Sequence, residues 1–287
     1  MRRPGFSSST TAFPPSPELA PPKEAEDVLA RYGASKWEMA DGTSGGDEAV
    51  GPAQIGEPLR SVPDTGGRRK SMDMLNWVDT RQPRGARVLP PVMRRVNGFA
   101  CSDHSARNTW GFWCRRPASQ PGVLPLAPVR VPYHLHDPHF IVVALSVPGS
   151  GHSGVVFQAS KAQGEHAAEM ALSNNRPQAR WIDTEGQRVV LTSAVTLAPD
   201  RPVVVAMCAR PGLQLLRVDG VEVAQAHADF APSNFAQLLI GWGFRSYFPN
   251  EGFGGHVYAV ATGKGAPDES ELSVLEHYLG SKAGLTF

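Results

Sequence analysis

The sequence predicts an all-β fold, an antiparallel β-sandwich of jelly-roll form, with a C-terminal helix and an extended N-terminal arm. Three observations predict it. From about residue 72 onward, short apolar runs recur with turn residues between them. Asp219-Gly220 lies between two such runs, the strongest short-range hairpin signal. A single helical stretch, APDESELSVLEHYLGSKAG (266–284), closes the chain. A long series of short strands followed by one helix is a sandwich pattern rather than an alternating α/β one.

Residues 1–23 are rich in Ser, Thr and Pro and cannot bury enough apolar surface to offset their ordering entropy. KEAEDVLARY (23–32) predicts a short helix ended by Gly33. Residues 34–67 hold much Gly, Pro and Asp and few apolar residues, and read as irregular loop. The expected division is therefore an arm over 1–70 and a sandwich over 71–287. HFIVVALSV (139–147) and PVVVAMCAR (202–210) are continuous apolar runs, hence central strands. GVVFQAS (154–160), AEMALSN (168–174), ARWIDTE (179–185), QRVVLTSAV (187–195), AQLLIGWG (236–243) and GHVYAVATG (255–263) supply further strands, and 213–226 forms two around the Asp219-Gly220 turn. In the terminal helix, Leu272, Leu275, Tyr278 and Leu279 share one face, with Asp268 or Ser270 as the cap.

The net charge of +1 over 287 residues gives no overall field. Locally, Arg68 to Arg116 carries eleven Lys and Arg against three Asp, a segment able to contact an anionic surface. No base-reading module accompanies it, so nucleic acid is not an expected partner. Cys101, Cys114 and Cys208 form no disulfide framework and no zinc spacing; free thiols are expected, with Cys208 a small core residue. The N-terminal MRRPGFSSST has no apolar run of signal-peptide type, and no stretch reaches the length of a membrane span.

Five pieces occur in a fixed order: FIVVALSV, the VDGVEV hairpin, LLIGWG, FGGHVYAVATG and SELSVLEHYLGSKAGL. On these, the stretch from Phe140 to the end resembles the concanavalin A-like lectin/glucanase superfamily, in the laminin G-like form found in bacterial and phage proteins. WVDTRQ (77–82) and RRVNGFACSD (94–103) correspond faintly to its opening strands. The resemblance implies the sandwich and a binding role. The superfamily's hydrolases carry Glu-x-Asp-x-Glu on one strand, which this sequence lacks; Glu165 and Glu169 come nearest, with Ala167 between them. The chain is therefore not expected to be an enzyme.

Three features remain as candidate sites. His134, His136 and His139 in YHLHDPH invite a metal reading, but their spacing fits no closed structural site and a polar turn is the simpler account. Asp183, Asp219 and Asp229 lack the ligand spacing of a calcium loop, and no cofactor or metal is expected. WGFRSYFPNEGF (242–253) sets aromatic rings among charged and amide groups, so Trp242, Phe244, Arg245, Tyr247, Phe248, Asn250 and Glu251 are candidates for stacking on and hydrogen-bonding a glycan or protein; the same rings could instead fill the sandwich edge. Trp110, Phe112 and Trp113 form a second aromatic group, one side of which alternation would bury.

These readings lead first to a non-enzymatic structural and binding protein of a tailed-phage virion, a capsid decoration or tail component. Residues 1–70, with Arg68, Arg69, Lys70, Arg94 and Arg95, would anchor it to other virion proteins in an oligomeric assembly, and the sandwich would face a host glycan. Such a protein is made in the host cytoplasm and resides in the virion. The alternative is a bacterial carbohydrate-binding surface module, and a divergent glycoside hydrolase ranks third. No membrane partner is expected.

Overall fold

The structure is a computed structural model describing residues 23–44, 52–66, 74–75, 89–106, 109, 111–114, 131, 133–161, 167–245, 248–249 and 252–287. Helix α1 (Lys23–Arg31) leads into β1 (Ser35–Glu38), a 3-10 turn, β2 (Ser61–Val62), β3 (Met74–Leu75), β4 (Val92–Val96), β5 (Phe99–Asp103) and β6 (Phe112–Cys114). The main run follows: β7 (His139–Ser146), β8 (Gly154–Ser160), β9 (Ala168–Ser173), β10 (Arg176–Ile182), β11 (Arg188–Thr192), β12 (Val203–Arg210), β13 (Leu213–Val218) and β14 (Val221–Ala226). Then come β15 (Gln237–Ile240), a small hairpin of β16 (Phe244–Arg245) and β17 (Phe248–Pro249), β18 (His256–Lys264) and helix α2 (Glu269–Ser281).

Two eight-stranded antiparallel sheets stack. The first runs β14-β13-β12-β7-β18-β5-β4, with β1 also paired to β18; the second runs β11-β10-β9-β8-β15-β6-β3-β2. The alternation of β7 shows how the layers are built. Ile141, Val143 and Leu145 enter the core between the sheets, beside Val205, Met207, Phe157, Met170 and Trp181. Phe140, Val142 and Ala144 point the other way, into a second core with Ala25, Val28 and Leu29 of α1 and Leu272, Leu275 and Leu279 of α2. The first sheet is thus covered on both faces, which is why β7 and β12 read as unbroken apolar runs. At about 25 cal/mol per Å² of apolar area, each large side chain buried in these layers contributes roughly 1.5–3 kcal/mol.

The turns follow the chemistry of their residues. Asn97-Gly98 joins β4 to β5, Asn174-Asn175 joins β9 to β10, and Asp219-Gly220 joins β13 to β14. Both central residues have positive φ in each case, the two-residue turn that matches strand twist. Asn174-Asn175 was not read as a turn from sequence. As a result β10 begins at Arg176 and runs through Pro177, three residues ahead of the expected strand. In α2, Asp268 rather than Ser270 is the N-cap, in a reciprocal capping box with Glu271.

The stretch assigned to an arm behaves differently where it is described. In residues 23–44 and 52–66, α1 packs on α2 and β1 pairs with β18 from Ser35↔Thr262 to Glu38↔Ala259. Trp37, Met39, Leu59 and Val62 lie fully buried in the inter-sheet core. The physical reason is that a few large apolar residues, spaced among Gly and Pro, suffice when a neighbouring sheet supplies the rest of the surface. Residues 1–22 and WVDTRQ (77–82) lie outside the described residues.

Candidate functional site

Of the aromatic loop expected to bind ligand, Trp242 is 3% exposed, and its indole Nε1 donates to the Phe112 carbonyl at 3.1 Å. Its ring meets Trp113 edge-on at 6.1 Å. It is therefore a packing residue and not an open stacking platform: once its N–H is satisfied by backbone, burial of the ring is favourable. Phe244, Arg245 and Phe248 belong to the β16–β17 hairpin, and Tyr247, Asn250 and Glu251 lie outside the described residues, as do Arg68, Arg69 and Lys70. Arg94 pairs with Asp103 at 3.0 Å, and Arg95 beside it is exposed.

The histidines of YHLHDPH do not converge. His139 is buried, donates its Nδ1–H to the Asp137 carbonyl at 2.8 Å and stacks on Tyr133 at 5.0 Å. His134 and His136 stack on each other at 5.6 Å. The three aspartates considered for calcium are each occupied in local structure: Asp183 accepts from the Glu185 and Gln187 amides, Asp219 from the Val204 amide, and Asp229 from Thr184 Oγ1. Among the described residues, no group of three His, Cys, Asp or Glu side chains is placed to hold a metal ion.

What the fold does assemble is a polar row on the face of the second sheet turned away from the core. Register places its members side by side: Gln237 opposite Ser160, Gln158 opposite Glu169, Glu169 opposite Arg180, Gln178 opposite Thr192. Their neighbours along each strand, such as Phe157, Met170 and Ala179, enter the inter-sheet core. Period 2 therefore gives every polar residue of the row the same outward face. Glu169 is the centre. Its Oε1 accepts from Gln158 Nε2 at 2.8 Å, while Oε2 is 3.1 Å from Arg188 Nη2 and 3.5 Å from Arg180 Nη1. Arg180 Nε in turn donates to Gln178 Oε1 at 3.0 Å, and Gln237 Nε2 donates to Ser160 Oγ at 2.9 Å.

The row is graded in exposure. Gln158 and Ser160 are fully buried, whereas the Arg188 side chain is 36% exposed and Val190 46%. Arg176, on the same face of β10, is exposed and donates to the Ser193 carbonyl at 2.8 Å. At the β11 end, then, among the described residues, one carboxylate faces the two guanidiniums of Arg180 and Arg188 beside exposed Val190, while Arg176 stands four residues along β10 from Arg180, roughly 13 Å away. Trp113 is half-buried on β6 at the other side of the same face, its flanking Phe112 and Cys114 turned inward. Five strand spacings, roughly 24 Å, separate it from Arg188. Sequence reading singled out Glu169 only as a possible hydrolytic carboxylate, paired with Glu165. Glu165 lies outside the described residues, and Glu169 is bound to an amide and two guanidiniums. The pairing Gln158–Glu169–Arg180 depends on register across three strands, which no single stretch of sequence displays.

The fold is an antiparallel two-sheet β-sandwich closed by a C-terminal helix. Solved structures similar to it include the carbohydrate-binding module (CBM40) of the Ruminococcus gnavus IT-sialidase bound to α2,3-sialyllactose, with TM-score 0.43 and 14% identity over 49% of this chain and 83% of that one. A mutant of NanB sialidase from Streptococcus pneumoniae matches at TM-score 0.43 and 11% identity over 48% of this chain. The binding domain of botulinum neurotoxin DC matches at TM-score 0.40 and 8% identity over 50% of this chain and 36% of that one. The match takes in 23% of the NanB chain. No family model matches the sequence, and no curated protein matches it either.

Proposed function

We propose that this chain is a non-catalytic carbohydrate-binding module that takes an acidic glycan on the β11 end of the polar row. One observation carries the reading: Glu169 holds Arg180 and Arg188 in fixed positions on a strand face, so that among the described residues two guanidiniums meet one carboxylate where the row opens to solvent. Planar donors fixed by their own hydrogen bonds lose little freedom when a carboxylate docks, and a guanidinium can bind it with two parallel bonds. Exposed Val190 offers the apolar contact that sugar C–H faces need. A carboxylate tied to two arginines and an amide is a positioning group, which supports binding over hydrolysis. Such a module works where glycans are displayed, at a cell surface. A place in a phage particle draws no support from the described part of the expected arm, since residues 23–44 and 52–66 are built into the sandwich and Arg94 is paired with Asp103.

The test is titration calorimetry with α2,3-sialyllactose against lactose, which lacks the carboxylate. The acidic sugar is expected to bind and lactose to bind at least tenfold more weakly, a difference of about 1.4 kcal/mol. Arg188→Ala should abolish the preference while leaving the melting temperature near that of the native chain, because Arg188 is at the open end. Equal binding of both sugars, or a preference untouched by Arg188→Ala, would refute the assignment.

A further inference from the structure

On the opposite side of the molecule, α2 covers only part of the outer face of the first sheet. Its N-terminal end leaves a cavity of about 290 Å³ over β12 and β13, lined by Cys208, Arg210, Leu213, Leu215, Pro267 and Leu272, with Arg217, Glu222, Asp268 and Glu269 around it. The volume is at the lower end of small-molecule sites. Its floor is apolar: Leu213 and Leu215 are half-buried there, Leu215 packed against the cluster that holds the α2 leucines.

The charges around the cavity are not balanced. Arg217 is 6% exposed and already committed: Nε donates to Glu276 Oε1 at 3.0 Å, and Nη2 to Glu276 Oε2 at 3.2 Å and to the Gly220 carbonyl. Its Nη1 also lies 3.8 Å from Glu269 Oε1, so the cavity is edged by Glu222, Asp268 and Glu269 against Arg210 and a guanidinium shared between Glu276 and Glu269. The Asp268 carboxylate already accepts from the Glu271 amide and Ser270 Oγ. Glu222, opposite Arg217 in register, and Glu269, 88% exposed, stand at the rim. Arg210 sits four residues along β13 from that rim, roughly 13 Å away. The cavity thus offers an oily floor with negative charge at one end.

We propose that this cavity is a second binding site, separate from the glycan row, for a small organic cation with an apolar body, such as an arylalkylamine. The apolar part lies on Leu213, Leu215 and Leu272, and the ammonium group faces Glu222 and Glu269.

Cys208 on the floor makes the site testable in the native chain. Burial pushes its thiol up to about 11, so little thiolate is present at neutral pH, but that fraction cancels when two reagents are compared at one pH. A methanethiosulfonate forms a mixed disulfide with the thiolate and releases methanesulfinate, so the 2-aminoethyl and 2-sulfonatoethyl reagents differ only in the charge delivered. Labelling at Cys208, mapped by peptide mass spectrometry, should be about tenfold faster with the cationic reagent. The ratio should fall to near one in Glu222→Gln/Glu269→Gln. Phenethylamine should slow labelling of the native chain and not of the double variant, and 3-phenylpropionate should not protect. Equal rates for both reagents, faster labelling by the anion, protection by the carboxylate, or no labelling of Cys208 at all would each overturn the assignment. None of these outcomes depends on whether the glycan row binds sugar.

Discussion

Gly241 shows how much one position can decide. It follows β15 in the LLIGWG stretch with φ +79, and a Cβ there would stand 2.2 Å from the His104 ring. That ring is fully enclosed, edge-on to Phe112 at 5.9 Å and tilted against Phe253 at 6.4 Å, and cannot retreat. Gly241→Ala therefore meets both a strained backbone and a clash, and should lower unfolding free energy by about 2–4 kcal/mol, read from urea denaturation. The motif was legible in the sequence, and the reason for its glycine was not, because His104 lies far away along the chain. Trp242 teaches the same lesson in reverse. Its neighbours suggested an exposed aromatic platform, yet one bond to the Phe112 carbonyl accounts for its burial. The setting of Glu169 was not legible either, since its partners Gln158, Arg180 and Arg188 come from three other strands.

At the scale of elements, strands of the main run were readable because apolar period and turn residues agree, and α2 because its cap and its apolar face agree. β1 was not, since four residues, SKWE, carry no period. What fixes β1 is tertiary: pairing to β18, Trp37 in the core, and a buried polar knot against α2. In that knot Lys36 Nζ lies 2.7 Å from Tyr278 Oη and 2.9 Å from Glu38 Oε1, Tyr278 Oη donates to Glu38 at 2.5 Å, and Lys282 Nζ reaches Glu38 at 2.8 Å. Burial alone would raise the Glu38 carboxyl, but Lys282, Tyr278 and Lys36 together hold it below its usual range. Tyr278→Phe keeps the ring and removes the hydroxyl bridging Lys36 to Glu38. It should cost about 1–3 kcal/mol, felt first in β1. Hydrogen exchange should show the amides of residues 36–38 losing protection while those of β7 keep theirs, the pattern of a local opening. Equal loss in both strands would mean that β1 and the central sheet open as one unit.

Across the whole molecule, the packing of both faces of the first sheet encloses groups that titrate near neutrality, and this sets the acid limit of the fold. Burial drives His104 down to about 3, with Asp103 opposing and His256 adding to the shift, and drives His139 down to about 4 against its bond to the Asp137 carbonyl. Both are neutral in the folded chain, while in the unfolded chain each takes a proton near pH 6.5. Below that pH the unfolded state binds more protons, so stability falls as pH falls, beginning near 6.5 and levelling off for these two groups only near 3–4. Each such proton is worth about 1.4 kcal/mol per pH unit, so from pH 6 to 4 the loss is on the order of 4–5 kcal/mol. Glu38 and Asp103, both held low in the folded state, act in the same direction below the usual carboxylate range. Glu276, raised chiefly by burial although Arg217 pulls it back, acts in the opposite direction. Since a domain of this kind holds only about 5–15 kcal/mol in total, it should be markedly weakened by pH 4. Urea midpoints at pH 7, 6, 5 and 4 test this directly, and His139→Gln should make the decline shallower between pH 6 and 4 even if it lowers stability at pH 7. A midpoint that stays level from pH 7 to 4 would mean that the folded chain accepts these protons, and that the two rings are not sealed within the layers.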